Sequence, residues 1–301
     1  MKKFLSILCV VFLCAVMTGC SGGKSDKLKF VTSCYPVHIM TLNITEGVEN
    51  VEIVPMSEGY TGCMHNFQIQ SKDLQNIEKS SAFIINGAGF EPFTDKITKE
   101  MPKVNVIDSS AGIELLCNEI CDDHHENDES YHEHDHEYNS HIWLSVANYI
   151  KQVRNVSEGL IKIDPDNAEK YKENTEEYIK KLEALKTNIH EEFKDVEKYN
   201  IVVFHDAFPY FAKEFNLNII TMGSGDSEHE ISAKEMAEIV GIIKNLKATY
   251  IFSEGEISET VKAIAAETGT QIITLNVATS GDSTKDSYIN IMRENVQVLK
   301  R

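Results

Sequence analysis

The feature that most constrains the fold is an alternation of short apolar runs with longer amphipathic segments, which occurs twice along the chain. The apolar runs of the first half are LKFVTS, VEIVPM, AFIING and KVNVID. Those of the second half, which begins near Tyr199, are NIVVFH, LNIITM, ATYIFSE and QIITLN. Strands that alternate with helices form βα units around a mostly parallel sheet. The sequence therefore predicts an α/β protein with two lobes of similar plan.

A long amphipathic helix separates the two halves. Its apolar positions recur at intervals of three and four residues, at Tyr178, Leu182, Leu185, Ile189, Phe193 and Val196. Such spacing places them on one helical face. Asp164 is placed to cap this helix, with Pro165 as its first residue. We predict an N-terminal lobe over 28–163, a linking helix over 164–197 that is roughly 45 Å long, and a C-terminal lobe over 198–301.

The first residues form an export signal rather than part of the fold. Two lysines are followed by an apolar stretch from Phe4 to Met17 that is too short to span a bilayer. Met17-Thr18-Gly19-Cys20 resembles a bacterial lipobox, which predicts cleavage of residues 1–19 and lipidation of Cys20. Residues 20–27 then form a flexible tether. We expect an extracytoplasmic protein that is anchored to the bacterial membrane by lipid.

The charge of the chain excludes one class of partner and favours another. It has 29 Lys and Arg against 47 Asp and Glu, with a formal net charge of −18. A surface this negative repels a phosphate backbone, and no cluster of basic residues offsets it. We therefore expect no nucleic-acid partner, and cations are favoured as ligands.

Three histidines lie at junctions between predicted elements. His65 follows the run VEIVPM, His141 precedes a helix, and His205 ends the run NIVVFH. Ligands of open α/β sheets sit at the carboxyl ends of the strands, so these junctions face a cleft between the lobes. Neutral imidazole suits Zn²⁺, and three imidazoles with one further donor satisfy a tetrahedral ion. Glu254 ends a strand at the same cleft, where it would orient a ligand imidazole or face solvent.

Residues 121–140 form a second group of metal-binding side chains. The loop has eight acids and few apolar residues, and its metal-binding candidates are His124, His125, His132, His134 and His136. This composition predicts a solvated insertion that captures zinc weakly, or an acidic loop without a role. The letters of HExxH occur at 132–136, but no apolar stripe surrounds them to form the buried helix that a metalloprotease needs.

Seven sequence blocks together resemble a known family. In chain order they are TSCYPV, GCMHNFQIQSKDL, AFIINGAGFE, NSHIWLS, VVFHDAFPYFAKEFNL, ISAKEMAEIVGIIK and DSYINIMREN. The chain resembles, from about Leu28 to its carboxyl terminus, the zinc-type metal receptor lipoproteins of ABC importers. The resemblance implies two (β/α)4-like lobes, a rigid connecting helix, metal binding by His65, His141 and His205 in the interlobe cleft, and delivery to a permease and its ATPase. We expect a monomer.

Two positions depart from the pattern of that family. Met64 stands where some relatives carry a carboxylate, and Asn276 stands where manganese and many zinc relatives carry an aspartate. The fourth ligand is therefore open, with water, Asn276 or a loop histidine as candidates. The loss of a carboxylate argues against the oxygen-rich site that manganese prefers, so we predict Zn²⁺ as the transported ligand. The alternatives are a manganese or iron receptor of the same fold, a zinc hydrolase with three histidines, and a surface adhesin that keeps metal for structural reasons.

Overall fold

The protein has two lobes, each built on a four-stranded parallel sheet. The computed structural model describes residues 27–56, 59–60, 64, 67–117, 138–193, 199–222 and 231–299. The strands of the first lobe are β1 (Leu28–Thr32), β2 (Val51–Pro55), β3 (Ala82–Ile85) and β4 (Val106–Asp108). Those of the second lobe are β5 (Asn200–Val203), β6 (Asn218–Met222), β7 (Tyr250–Ser253) and β8 (Gln271–Thr274). The predicted α/β architecture is confirmed.

The two sheets share one topology. The strand order is β2-β1-β3-β4 in the first lobe and β6-β5-β7-β8 in the second. All of these neighbours pair in parallel, for example Val31 with Phe83 across β1 and β3. In the first sheet β2 lies on one side of β1 and β3 lies on the other, so the order in which strands are added changes direction between β1 and β3. The same change occurs between β5 and β7 in the second sheet. A crevice forms at the carboxyl ends of the strands at each such point, and ligands of open α/β sheets bind there.

Helices cover both sheets and join the lobes. In the described part of the chain they are α1 (Tyr35–Ile44), α2 (Ser71–Glu78), α3 (Thr94–Glu100), α4 (Val146–Ile163), α5 (Ala168–Phe193), α6 (Pro209–Glu214), α7 (Ala233–Leu246), α8 (Glu259–Thr268) and α9 (Ser287–Leu299). A 3-10 turn at Ile142–Leu144 precedes α4. None of the helices in these ranges combines the length and the apolar character that crossing a membrane requires.

The linking helix α5 carries the predicted apolar stripe toward the core. Tyr178, Leu182, Leu185 and Ile189 are all buried. At 1.5 Å per residue its 26 residues span about 39 Å. Its start differs from the prediction, because Pro165–Asn167 form a 3-10 turn before the α-helix. The Asp164 carboxylate accepts from side chains, Asn167 Nδ2 at 2.7 Å and Tyr171 Oη at 2.7 Å, rather than from a backbone N–H of the turn.

One hydrophobic core runs through both lobes. It includes Phe30 and Phe83 of the first sheet, Val203 and Phe252 of the second, and Met292 of the last helix. A smaller cluster, with Val202 and Ile243 among its members, packs α7 and α8 on the outer face of the second sheet. The lobes are therefore joined by shared packing as well as by the linking helix.

Candidate metal site between the lobes

His141 is held at the base of the cleft by hydrogen bonds of its own loop. The residue immediately precedes the 3-10 turn and is fully buried. Its backbone N–H donates to Asn139 Oδ1 at 3.0 Å, and Asn139 Nδ2 donates to the carbonyl oxygen of Asp206 in the second lobe. Tyr210 Oη donates to the Asn139 carbonyl at 2.9 Å. The His141 loop is thus attached to the second lobe two residues before the histidine.

Aromatic side chains fix the plane of the His141 ring. The ring centroid lies 5.6 Å from that of Phe90 and 5.2 Å from that of Trp143. Trp143 Nε1 donates to the Val277 carbonyl at 2.8 Å, and Tyr288 Oη donates to the Trp143 carbonyl at 2.7 Å. Trp143 therefore orients the imidazole by packing and also attaches the His141 turn to the second lobe.

A buried carboxylate supports the same turn from inside the first lobe. Glu91 accepts from Ser33 Oγ at 2.5 Å and from the backbone N–H groups of Asn86 and Gly87 at 2.8 and 3.1 Å. Asn86 Nδ2 in turn donates to the carbonyl of Ser140 at 2.9 Å. Burial raises the pKa of Glu91 to about 7, although its three hydrogen-bond donors oppose the rise. Glu91 and its hydrogen-bond partners thus fill the crevice at the carboxyl ends of β1 and β3.

Gly87 in the GAG turn is required by this arrangement. Its φ is +79°, and a Cβ atom there would lie 1.9 Å from Asp108 Oδ1. Glycine adopts this backbone conformation without steric cost, and only glycine leaves room for the Asp108 side chain. The turn therefore shapes the first lobe beside the cleft.

His205 occupies the equivalent crevice of the second lobe. It lies two residues after β5, and Glu254 directly follows β7, so both project from the point where the strand order reverses. Glu254 Oε2 lies 3.3 Å from His205 Nδ1. A carboxylate at one ring nitrogen favours protonation there and turns the other nitrogen toward a metal. The structure thus places the Glu254 carboxylate beside the His205 ring, and its role in orienting the imidazole stays a prediction.

The two histidines and Asp206 form one group of ligand atoms. The ring centroids of His141 and His205 are 5.2 Å apart. Asp206 Oδ1 lies 3.4 Å from His205 Nε2 and 3.9 Å from His141 Nδ1. One ligand atom from each of the three residues falls within 4.8 Å of the others. Sequence reasoning missed Asp206, although an acid directly after a candidate ligand histidine was a visible signal.

A cavity of about 610 Å³ opens beside His205, toward the end of β8. Glu254, Asn276 and Glu294 line it. Asn276 is a candidate fourth ligand, but its Oδ1 already accepts from the Ala278 N–H at 2.8 Å. The acidic lining gives a divalent cation a favourable approach to His205.

The remaining candidate residues fall outside the part of the chain that the structure describes. These are His65, the loop residues His124, His125, His132, His134 and His136, and the lipidation site Cys20. Met64, directly before His65, is described and is buried, with 1% of its surface exposed. The structure therefore brings together two of the three predicted histidine ligands, and the third stays a prediction.

Comparison with known proteins identifies the family of the chain. The sequence profile of the family described as "Zinc-uptake complex component A periplasmic", ZnuA, matches residues 30–301. The high-affinity zinc uptake system protein ZnuA of Bacillus subtilis is 31% identical over 292 residues, which cover 94% of this chain and 89% of that protein. The zinc-binding lipoprotein AdcA of Streptococcus pneumoniae is 30% identical over 315 residues. This alignment covers the whole chain but 61% of AdcA, so the chain spans about three fifths of that relative.

Solved structures show the same fold. The crystal structure of the metal-dependent lipoprotein YcdH from Bacillus subtilis matches with a TM-score of 0.75 and 27% identity, over 91% of this chain and 98% of that one. The resemblance inferred from the seven sequence blocks is confirmed. With its paired parallel sheets, its linking helix and a family match over nearly its full length, the chain belongs to the ZnuA family of zinc-uptake solute-binding proteins.

Proposed function

We propose that the protein is an extracytoplasmic receptor that binds Zn²⁺ with high affinity and delivers it to the permease of an ABC importer. The observation that carries this proposal is the convergence of His141 and His205 from different lobes on one point of the cleft. A site made by both lobes links occupancy to their relative position, which a permease can recognise. The zinc-binding relatives and the family of the chain support the same assignment.

The ligands that we propose are His65, His141 and His205. Imidazole nitrogen suits Zn²⁺ better than Mn²⁺, which prefers oxygen donors. Three imidazoles are a nitrogen-rich donor set, which favours zinc over the manganese or iron cargo that the fold also permits.

The proposal includes how the receptor is held at the membrane. Cys20 is the lipidated residue after removal of 1–19, and residues 20–27 are the tether. The description of the AdcA relative as a lipoprotein supports this anchor. The partners are the permease and its ATPase, and the receptor acts as a monomer.

The His-rich loop has a separate role in this proposal. Its histidines, His124, His125, His132, His134 and His136, capture zinc weakly near the mouth of the cleft and raise the local concentration of the ion. The tight site does not depend on them. The loop thus increases the capture of zinc rather than setting the affinity of the receptor.

Calorimetry on metal-stripped protein tests the central claim. Unlipidated residues 20–301 should bind one Zn²⁺ tightly, and alanine at His65, His141 or His205 should remove that binding. His190→Ala is the matched control, because His190 lies on the linking helix and contacts Glu214 at 3.1 Å. Tight 1:1 binding that survives all three substitutions would exclude the site.

The same variants separate a receptor from a hydrolase. Three histidines with an open position also lower the pKa of a bound water in zinc enzymes. A receptor should show no turnover of ester or carbonate substrates when it is loaded with Zn²⁺. Turnover that disappears with His141→Ala and His205→Ala, but persists in His190→Ala, would favour the enzyme instead.

A further inference from the structure

The atoms of His205 and Asp206 are arranged around a point that suits a cation. Glu254 Oε2 faces Nδ1 of His205 at 3.3 Å, and this contact favours the tautomer with its proton on Nδ1. Nε2 then presents a lone pair, and the group facing it at 3.4 Å is the carboxylate oxygen Oδ1 of Asp206. Two electron-rich atoms at this separation are both stabilised by a divalent cation between them.

The separation agrees with tetrahedral coordination of zinc. Zinc binds imidazole nitrogen at about 2.0–2.1 Å and carboxylate oxygen at about 2.0–2.2 Å, so two ligand atoms of a tetrahedral ion lie about 3.4 Å apart. The distance from His205 Nε2 to Asp206 Oδ1 is 3.4 Å. His141 Nδ1 is 3.9 Å from the same oxygen, so a small movement of the His141 side chain toward Asp206 would bring this pair of atoms to the same separation.

The backbone of Asp206 is fixed where its side chain reaches both lobes. Its carbonyl accepts from Asn139 Nδ2, and Asn139 also holds the backbone N–H of His141. The residue is thus attached to the His141 loop while it belongs to the lobe of His205. Its position requires no rearrangement of the chain to bring its carboxylate to the two imidazoles.

We propose that Asp206 Oδ1 is the fourth ligand of the zinc ion, in addition to the three histidines. The inference rests on the proposed function and adds an anionic oxygen that neither Met64 nor Asn276 supplies. Three neutral imidazoles leave the double positive charge of Zn²⁺ uncompensated. One carboxylate neutralises one unit of that charge. It also closes the coordination sphere, and closed four-coordinate sites hold zinc, whereas catalytic sites keep a position for water. Asp206 thereby leaves no open position for the bound water that a zinc hydrolase activates.

Paired substitutions of carboxylate by amide test this role. Asp206→Asn removes the anionic ligand, and Glu256→Gln is the matched control because Glu256 lines the same cavity at an exposed position. The measurement is Zn²⁺ affinity by competition with a chromophoric chelator. Loss of a partner outside the coordination sphere costs about 10–100-fold in metal affinity, so loss of a ligand should cost more than about 100-fold. Glu256→Gln should change affinity less than about threefold. Equal losses in the two variants would overturn the proposal.

Spectroscopy of the Co²⁺ form gives a readout that does not depend on affinity. Wild-type protein and Glu256→Gln should show the same visible bands of four-coordinate cobalt, and Asp206→Asn should show these bands at shifted wavelengths, because water or a neutral amide replaces the carboxylate oxygen. An unchanged spectrum in Asp206→Asn would overturn the proposal. Absence of tight Zn²⁺ binding in wild-type protein would instead overturn the proposed function, so the two failures are distinguishable.

A crystal structure of the zinc-loaded wild-type protein decides the question even if Asp206→Asn does not fold. The expected distance from Asp206 Oδ1 to zinc is about 2.0–2.2 Å. A carboxylate oxygen more than about 3 Å from the ion, with water or another side chain in the fourth position, would show that Asp206 orients the histidines without ligating the ion.

Discussion

The buried carboxylate of Glu91 predicts an unusual dependence of stability on pH. Only 4% of the residue is exposed, and burial raises its pKa to about 7 from the ordinary 4.5. Between these two values the folded protein holds a proton that the unfolded chain has released. The free energy of unfolding therefore falls as the pH rises from about 4.5 to about 7, and Glu91 adds no further change above that.

The size of the effect follows from the shift. A difference of one pKa unit corresponds to 1.36 kcal/mol, so the change in pKa of Glu91 is worth about 3 kcal/mol across the window. In Glu91→Gln this contribution is absent at every pH. The free energy of unfolding of wild type minus that of Glu91→Gln should therefore decrease by about 3 kcal/mol between pH 4.5 and 7.5.

Urea unfolding of the metal-free protein at several pH values measures this difference. Glu78→Gln is the control, because Glu78 is an exposed acid at the end of α2 and should give a difference that is flat within about 0.5 kcal/mol. A wild-type minus Glu91→Gln difference that stays constant within about 1 kcal/mol, or that grows with pH, would refute the reasoning that burial dominates the pKa of this carboxyl.

Four further outcomes are expected. Burial lowers the pKa of His38 to about 4 from 6.5, so His38 should raise the unfolding free energy of the wild type by about 3 kcal/mol between pH 4 and 6.5. Urea titration of His38→Gln should show that this rise is absent. Trp143→Phe leaves the buried Val277 carbonyl without its 2.8 Å donor and should cost about 1–3 kcal/mol of stability in the same assay; no loss would show that water replaces the indole. Glu254→Gln should weaken Zn²⁺ binding about 10–100-fold in a chelator competition, and unchanged affinity would remove its orienting role. Deletion of 122–137, which keeps Asn139 and its hydrogen bonds to His141 and Asp206, should leave the tight site nearly unchanged and abolish weak zinc equivalents in calorimetry, whereas a large loss of affinity would place a loop histidine in the site.

The secondary structure was predictable because its signals are local. All eight predicted apolar runs contain the observed strands, and the stripe from Tyr178 to Ile189 is the buried face of α5. The first turn of the linking helix was not predicted, because the choice between a 3-10 turn and an α-helix after Pro165 depends on the contacts of the Asp164 carboxylate with Asn167 and Tyr171.

The candidate site was predictable only in part. The junction positions of His141 and His205 follow from the pattern of strands, and their approach to each other requires the lobes to be placed in space. Asp206 was missed because adjacency in sequence does not show which way a side chain points across a cleft. The burial of Glu91 was also invisible, since an acid within GAGFE reads as a surface residue.

The continuous core couples the unfolding of the two lobes. Tyr288 of α9 stacks on Tyr149 of α4 with ring centroids 3.6 Å apart, so the end of the chain is built into the interior of its first half. Neither half can be excised along the domain boundary without exposing apolar surface that the other half covers. On heating, both sheets should therefore unfold in one transition. Helices α7 and α8, which pack in the separate smaller cluster, should unfold locally at a lower temperature.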